Sequence, residues 1–101
     1  MAQFDVYENT NPQTSELFPY LLDITNDILN SSKVRVVVPL CSDSASIKHL
    51  NPSFNIEGQI LYMSTMDIAG IPLSLCGKTI DNIGQKRTEI IDALDFLVNG
   101  F

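Results

Sequence analysis

Apolar and polar positions alternate along most of the chain, in short runs separated by turn residues. Such alternation predicts strands, because successive side chains of a strand point to opposite faces of a sheet. The run Val34–Val38 is rich in β-branched residues and predicts a central strand. Pro39 is expected at the end of that strand or on an edge, because proline cannot donate a ladder hydrogen bond. The predicted strands cover residues 4–7, 20–24, 34–38, 54–56, 59–63 and 71–75.

Two glycines are predicted to mark the ends of the strands after residue 50. Gly58 lies between the runs 54–56 and 59–63 and predicts a hairpin with a tight turn. The alternating run 71–75 is expected to close the set of strands before Gly77. Residues 41–49 are polar and predict a loop.

From about Asp81 the spacing of apolar residues becomes helical. The order of many strands followed by one helix predicts an α+β fold of a single domain, residues 1–101. A small antiparallel barrel-like sheet that packs against the helix is the simplest such architecture. The predicted apolar stripe of the helix consists of Ile83, Ile90, Ile91, Leu94, Leu97, Val98 and Phe101.

The charges of the predicted helix interact unfavourably with its dipole. Asp92 and Asp95 lie towards the carboxyl end, where cations would be stabilising, while Glu89 and Asn99 also fall outside the apolar stripe. This arrangement costs stability in the isolated protein. It suits a partner that presents positive charge.

The composition narrows the classes of partner. Twelve acidic residues against six basic ones give a formal net charge of -6, and a chain without clustered Lys and Arg is a poor ligand for nucleic acid. A negative surface suits a basic protein instead. No stretch approaches the roughly 18 apolar residues of a membrane helix, and residues 1–4 do not resemble a signal region, so we expect a cytoplasmic protein without membrane contact.

Few side chains indicate catalysis. Cys41 and Cys76 each follow an apolar run and are interpreted as reduced, buried thiols. Asp23 and Asp67 are interpreted as capping or solvated groups, because isolated carboxylates near turns usually have that role. His49, the only histidine, is interpreted as a solvated loop residue. We therefore expect no catalytic residue, metal site or cofactor.

Spaced residues along nearly the whole chain resemble the CcdB family, the toxins of plasmid toxin and antitoxin modules. The matching pattern is Gln3-Phe4-x-Val6-Tyr7, Asp23-x-x-x-Asp27-Ile28, Val38-Pro39-Leu40, Leu50-x-Pro52, Ile56, Met63-x-Thr65-x-Asp67-x-Ala69-x-x-Pro72-x-Ser74, Gly77, Ile90-x-x-Ala93 and Gly100. The ordered spacing carries the resemblance, since each single residue is common.

The resemblance implies a homodimer with an SH3-like barrel, an extra small sheet and a C-terminal helix. It also implies that the protein binds GyrA of DNA gyrase and traps the enzyme on cleaved DNA, and that a CcdA-type antitoxin neutralises it through a disordered segment that folds on binding. The best-known member has a tryptophan where Asn99 stands and an isoleucine where Phe101 stands. The gyrase-contact positions of the family correspond here to Ile28, Leu29, Asp95, Val98, Asn99, Gly100 and Phe101.

Three alternatives stay open on the sequence alone. Ile28 and Leu29 are equally compatible with a place in the core. Because CcdB shares its fold with the ribonucleases MazF and Kid, Arg35, His49 and Asp67 could surround an RNA phosphate. The chain could also be a silent relative that only occupies an antitoxin.

Overall fold

The fold was analysed in a computed structural model that describes residues 2–29, 31–42 and 50–100. Strands precede a single α-helix, which confirms the predicted α+β fold. The strands of the described ranges are β1 (Asp5–Asn9), β2 (Tyr20–Asp23), β3 (Val34–Cys41), β4 (Ser53–Ile56), β5 (Gln59–Met63), β6 (Ala69–Pro72) and β7 (Cys76–Asn82), and the helix is α1 (Arg87–Asn99). With 13 residues, α1 is too short to cross a bilayer, and no other described helix is long enough.

The strands form one curled antiparallel sheet with β3 at its centre. The order is β4-β5-β3-β2-β1-β7, and β6 pairs with the first half of β3. β3 therefore changes its neighbour along its length: β6 lies beside Val34–Val37, and β5 lies beside Leu40 and Cys41. The predicted central strand is confirmed.

Pro39 lies inside β3, so the prediction that it stands at a strand end or on an edge is wrong. The change of neighbour explains why the sheet tolerates it. The carbonyl of Pro39 accepts the N–H of Ser64 on the side of β5 and β6, and its nitrogen faces the same side. No ladder donor is required there, because the pairing with β6 has ended at Val37 and the pairing with β5 starts at Leu40.

The hairpin predicted around Gly58 is confirmed. Glu57 and Gly58 both have positive φ angles, of 53° and 80°, which is the geometry of a two-residue type I′ turn. The side chain of Asn55 accepts the N–H of Gly58 at 3.0 Å and closes the turn. β4 and β5 pair directly on either side of it.

The prediction that the strands end before Gly77 is wrong, because β7 runs through that residue and pairs with β1. Accordingly, the helix does not begin near Asp81. Asp81 and Asn82 belong to β7, a 3₁₀ turn covers Gly84–Lys86, and α1 starts at Arg87. Ile83 is buried, but it contributes to the core from the connection rather than from the helix.

The main core lies between α1 and the face of the sheet that the helix covers. Ile90 and Ala93 are completely buried there, while Ile91 and Leu94 are partly buried at the edge. The core cluster consists of Phe4, Val6, Leu22, Val38, Leu40, Phe54, Ile56, Leu61, Met63, Ile83, Ile90 and Ala93. The predicted apolar stripe thus docks on the sheet in its first half.

We predict that Gly77→Ala destabilises the protein, because β7 passes unusually close to β1 at this residue. A Cβ atom at Gly77 would lie 2.7 Å from the carbonyl oxygen of Glu8 and 2.9 Å from Cγ2 of Thr10. Overpacking of this kind costs about 1–3 kcal/mol of unfolding free energy, measured by urea denaturation.

Gly70→Ala is the matched control for packing within one chain, since its Cβ would meet only Cγ1 of Val34 at an ordinary 3.5 Å, and sedimentation checks that both variants keep the oligomeric state of the wild type. We expect this variant to unfold at nearly the same urea concentration as the wild type. Equal stability of the two alanine variants would contradict the close approach at Gly77.

Candidate functional site

The first group of predicted contact residues lies on the connection between β2 and β3. Ile28 and Leu29 belong to a 3₁₀ turn, Asp27–Leu29, and both side chains are exposed, to 88% and 55%. Asn26 starts the turn: its side chain accepts the N–H of Ile28, and its carbonyl accepts the N–H of Leu29. The core alternative for these two residues is therefore wrong.

The turn is tied to the amino end of the chain. The N–H of Gln3 donates to the carboxylate of Asp27 at 2.8 Å, and the side-chain amide of Gln3 donates to the carbonyl of Ile24. These bonds hold the chain on both sides of Asn26, through the backbone carbonyl of Ile24 and through the side chain of Asp27. The apolar side chains of Ile28 and Leu29 consequently point into solvent from an ordered backbone.

The second group lies at the carboxyl end of α1. The helix ends at Asn99, and Gly100 adopts a left-handed conformation with φ of 81°, while its N–H donates to the carbonyl of Phe96. Val98 is 78% exposed, and Asn99 and Gly100 are exposed as well. Phe101 lies outside the described residues. Val98, Asn99 and Gly100 thus form an exposed end of the helix, called the tip below, with apolar and polar groups in solvent.

The charges on α1 oppose the helix dipole, as the sequence predicted. Lys86 and Arg87 stand at the positive amino end, whereas Asp92 and Asp95 are exposed in the second half, and the last turn contains no basic residue. Among the described residues, neither aspartate forms an ion pair. The tip therefore carries an uncompensated negative potential.

The two groups are separate within one chain. No hydrogen bond or ion pair of the described residues joins the turn Asp27–Leu29 to Asp95, Val98, Asn99 or Gly100. Each group is held by its own element, the first by the β2–β3 connection and the second by α1.

A buried ion pair lies behind the first group, and sequence reasoning missed it. Asp23 and Arg35 are both fully buried, and Nε of Arg35 donates to the Asp23 carboxylate at 2.7 Å. The hydroxyl of Tyr7 donates to the same carboxylate oxygen at 2.6 Å. The interpretation of Asp23 as a capping or solvated group is therefore incomplete: it accepts the N–H of Thr25 at 2.8 Å, but its main partners are buried.

Strand register brings these three side chains to one face. Leu21 lies opposite Tyr7, and Val37 lies opposite Asp23, so Tyr7 and Arg35 are both diagonal neighbours of Asp23. This is the face of the sheet opposite to the helix. In the sequence, this pair could have been found from Arg35, the charged residue within the β-branched run 34–38. A buried cation needs an acidic partner.

Burial raises the pKa of Tyr7 well above its ordinary value, and the hydrogen bond to Asp23 raises it further. Burial also raises the pKa of Cys76, with a smaller contribution from Asp23. Both groups are therefore held in their neutral forms. Cys41 is buried and Cys76 is half-buried, and the raised pKa of Cys76 means that this thiol is not a reactive thiolate.

The ribonuclease arrangement is not supported by the described residues. Arg35 cannot contact an RNA phosphate, because its guanidinium is completely buried and occupied by Asp23. Asp67 is exposed and accepts a hydrogen bond from the Ser64 hydroxyl at 2.6 Å, which is the local role predicted for it. His49 lies outside the described residues. Within those residues no cluster of His, Cys, Asp or Glu could hold a metal ion.

A shallow groove of about 260 Å³ lies on the face of the sheet opposite to the helix, between the β1–β2 connection and the β3–β6 ribbon. Phe18, Leu21, Val37 and Ile71 form its apolar floor. Asp67 is the only ionisable side chain among the described residues that line it. The groove has no pair of groups that could transfer a proton.

The comparison with known families identifies the chain. A family model described as CcdB protein matches residues 3–100, nearly the whole length. The chain belongs to the CcdB family. CcdB proteins are toxins of toxin and antitoxin modules and inhibit DNA gyrase. The turn Asp27–Leu29 and the carboxyl end of α1 are thus the candidate site, and the buried ion pair lies behind the turn.

We predict that this CcdB-family protein loses stability at alkaline pH through Tyr7. The folded state keeps the phenol protonated, whereas the unfolded chain releases that proton above about pH 10. Below that pH the contribution of Tyr7 to stability is fully present. Above it the free energy of unfolding falls by up to about 1.4 kcal/mol per pH unit.

Urea denaturation of the wild type and of Tyr7→Phe at about pH 8 and about pH 11 checks this. Tyr7→Phe should be about 1 kcal/mol less stable at the lower pH, because one donor to Asp23 is lost. It should also lose less stability between the two pH values. Parallel pH profiles of the two proteins would show that Tyr7 does not titrate on unfolding.

Proposed function

We propose that this protein is a homodimeric toxin that acts in the cytoplasm by binding GyrA of DNA gyrase and trapping the enzyme on cleaved DNA. We further propose that a CcdA-type antitoxin neutralises it. The observation that carries the proposal is the CcdB family match over residues 3–100. The protein is accordingly an inhibitor that performs no chemistry itself.

The turn and the helix tip are proposed to contact gyrase. Ile28, Leu29 and Val98 are large apolar side chains that lie mostly in solvent, so they add little to the core. Exposed apolar residues on ordered backbone are typical of interface centres. At Gly100 a Cβ atom would meet nothing within 4 Å, so a partner's backbone can approach the tip closely.

The charge pattern supports a cationic partner surface. Asp92 and Asp95 add to the negative end of the helix dipole and have no cation of the described residues beside them. A basic patch on gyrase would remove this repulsion on binding and would speed association. The same negative surface would attract a basic antitoxin segment.

Asn99 changes how the tip would bind. The tryptophan that stands here in the best-known CcdB stacks on an arginine of gyrase, and an asparagine cannot do so. The loss of a cation–π contact is worth about 0.5–2 kcal/mol. The proposed mechanism therefore places more of the affinity on Val98 and Asp95.

We propose that the homodimer forms through an exposed apolar strip on β3 and β6, which binds a second copy of the chain. Val36 shares a face of β3 with the core residue Val38, yet it lies beyond the cover of α1 and is 37% exposed. Val34 follows on the same face and is 54% exposed, and Ile68 adds an exposed residue just before β6. The strip consists of Val34, Val36, Ile68, Gly70 and Pro72.

The strip is uncharged, which favours a homodimer. Two chains of net charge -6 repel one another, so self-association requires an apolar contact without acidic residues. Val34 and Val36 face their partners Pro72 and Gly70, and none of the four carries charge. A strip that matches itself across a two-fold axis satisfies this requirement.

A supercoiling assay with purified gyrase tests the function and the tip together. We expect the wild type to abolish supercoiling and to produce plasmid cleaved by gyrase, while RNA added in parallel stays intact. Deletion of residues 99–101 should abolish both effects with little change of melting temperature, because Asn99 and Gly100 are exposed. Asn99→Trp should strengthen poisoning by restoring a flat aromatic surface.

Val98→Ser and Ile60→Ser form the matched control, since each removes an exposed apolar side chain, of 78% and 51% exposure, but only Val98 lies at the tip. Only Val98→Ser should weaken poisoning. Cleavage of RNA by the pure protein would establish the ribonuclease alternative. A protein that binds a CcdA-type antitoxin but leaves gyrase unaffected would be the silent relative.

We predict that the wild type sediments as a dimer at about 10 μM, and that Val36→Asp raises the dissociation constant at least about a hundredfold. Burial of an unpaired carboxylate in an apolar contact costs several kcal/mol, which accounts for a change of this size. Ile60→Asp places the same charge on the β4–β5 hairpin and should remain dimeric. A monomeric wild type, or a dimer unaffected by Val36→Asp, would refute the strip as the interface.

A further inference from the structure

The position of Ile28 and Leu29 depends on the backbone, because their side chains have little packing. Both side chains are exposed, and no residue of the 3₁₀ turn is buried. A turn without packed side chains loses order easily, and a disordered contact residue must be ordered again when a partner binds. The hydrogen bonds to the backbone of the turn therefore decide how well it is prepared for binding.

Arg35 supplies one of these bonds from inside the protein. Its Nη1 donates to the carbonyl of Leu29 at 3.1 Å, while its Nε donates to Asp23 at 2.7 Å. The guanidinium is planar and rigid, so the bond to Asp23 fixes the direction in which Nη1 points. The same carbonyl accepts the N–H of Ser32 at 2.9 Å, so Arg35 and Ser32 both hold the last carbonyl of the turn.

The anchor of Arg35 is itself rigid. Asp23 ends β2 and accepts hydrogen bonds from the Tyr7 hydroxyl at 2.6 Å and from the N–H of Thr25 at 2.8 Å. Thr25 in turn accepts the N–H of Val36 through its hydroxyl. A continuous series of short bonds thus connects β1, β2 and β3 to the carbonyl of Leu29.

The energetics indicate that this pair serves more than stability. A buried ion pair usually gains little over an apolar pair of the same volume. In addition, Nη2 of Arg35 is buried and has no hydrogen-bond partner within the described residues, which costs free energy. An apolar pair could fill the same space, but it could not donate a hydrogen bond to the turn.

We propose that Arg35 is a positioning residue for partner binding: it holds the turn Asp27–Leu29 in its binding conformation through the Leu29 carbonyl, with Asp23 as its anchor. This inference rests on the proposed function, since it takes the turn to be part of the gyrase-binding surface. Arg35 itself touches no partner, because it is completely buried.

Arg35→Lys tests the inference. Lysine keeps a positive charge for Asp23, but a single ammonium cannot also reach the Leu29 carbonyl in place of Nη1. Thr10→Val is the matched control, because it also removes one hydrogen bond from a side chain to a backbone carbonyl, that of Leu75 at 2.9 Å, but leaves Asp23, Arg35 and the turn joined. Two readouts are measured for each variant: amide hydrogen exchange and the dissociation constant for purified GyrA.

In Arg35→Lys, the N–H groups of Leu29 and Ser32 should exchange about tenfold faster, and the affinity for GyrA should fall about tenfold, the value of one lost hydrogen bond. The N–H of Leu61 in the core serves as the internal reference and should exchange more slowly than both. Thr10→Val should change neither the exchange of the turn nor the affinity. If Arg35→Lys does not fold, Asp23→Asn with Arg35→Gln removes both charges and the bond to Leu29 together.

The two readouts separate this inference from the proposed function. If the wild type does not bind GyrA, the proposed function fails, and exchange at Leu29 and Ser32 still decides whether Arg35 orders the turn. If the wild type binds and Arg35→Lys matches Thr10→Val in both exchange and affinity, the positioning role is overturned. Faster exchange with unchanged affinity overturns it too, because the order of the turn would then not matter for binding.

Discussion

The buried ion pair between Asp23 and Arg35 is the constraint on which one side of the sheet depends. Two charges without solvent are tolerated only when their hydrogen bonds are nearly complete, and removal of one partner from such a pair costs about 3–5 kcal/mol. The strands that carry Tyr7, Asp23 and Arg35 must therefore keep a single register. If one of these strands slipped by one residue, its own member of the three side chains would turn towards the apolar core.

The two faces of β3 have different surroundings, an apolar core on one side and the buried ion pair on the other. Val38 and Leu40 enter the core beneath α1, while Arg35 points to the opposite face and meets Asp23. Val34 and Val36 lie on the same face as Val38, but they remain exposed and do not belong to the core cluster. The apolar strip is thus the exposed continuation of the core surface.

Local patterns explain why much of this fold could be predicted. The run 34–38, the turn at Gly58 and the spacing of Ile90 and Ala93 each contain their own signal within a few residues. β7 carries no such signal, because Lys78, Thr79, Asp81 and Asn82 do not alternate with apolar residues. Its place comes from pairing with β1, which is distant in the sequence.

The same distinction applies to the candidate site. The predicted contact residues at the turn and at the helix tip came from a family resemblance, and the structure adds that Ile28, Leu29 and Val98 are exposed. The Asp23–Arg35 pair had no local signal strong enough, since it forms only when β2 and β3 lie side by side. Asp23 by itself resembles any carboxylate that begins a turn.

The placement of charge on α1 shows a conflict between stability and binding. Exchange of the basic residues Lys86 and Arg87 with Asp92 and Asp95 would improve the interaction with the dipole at both ends. At the basic end, Arg87 already has partners. Its guanidinium lies 5.5 Å from the ring centre of Phe4 and donates to the side chain of Gln3, whose N–H donates to Asp27. The amino end of the helix therefore supports the turn, and the acidic end remains free for a cation. A helix with the opposite charges would be more stable alone, but it would repel the cationic surface that this tip is proposed to meet.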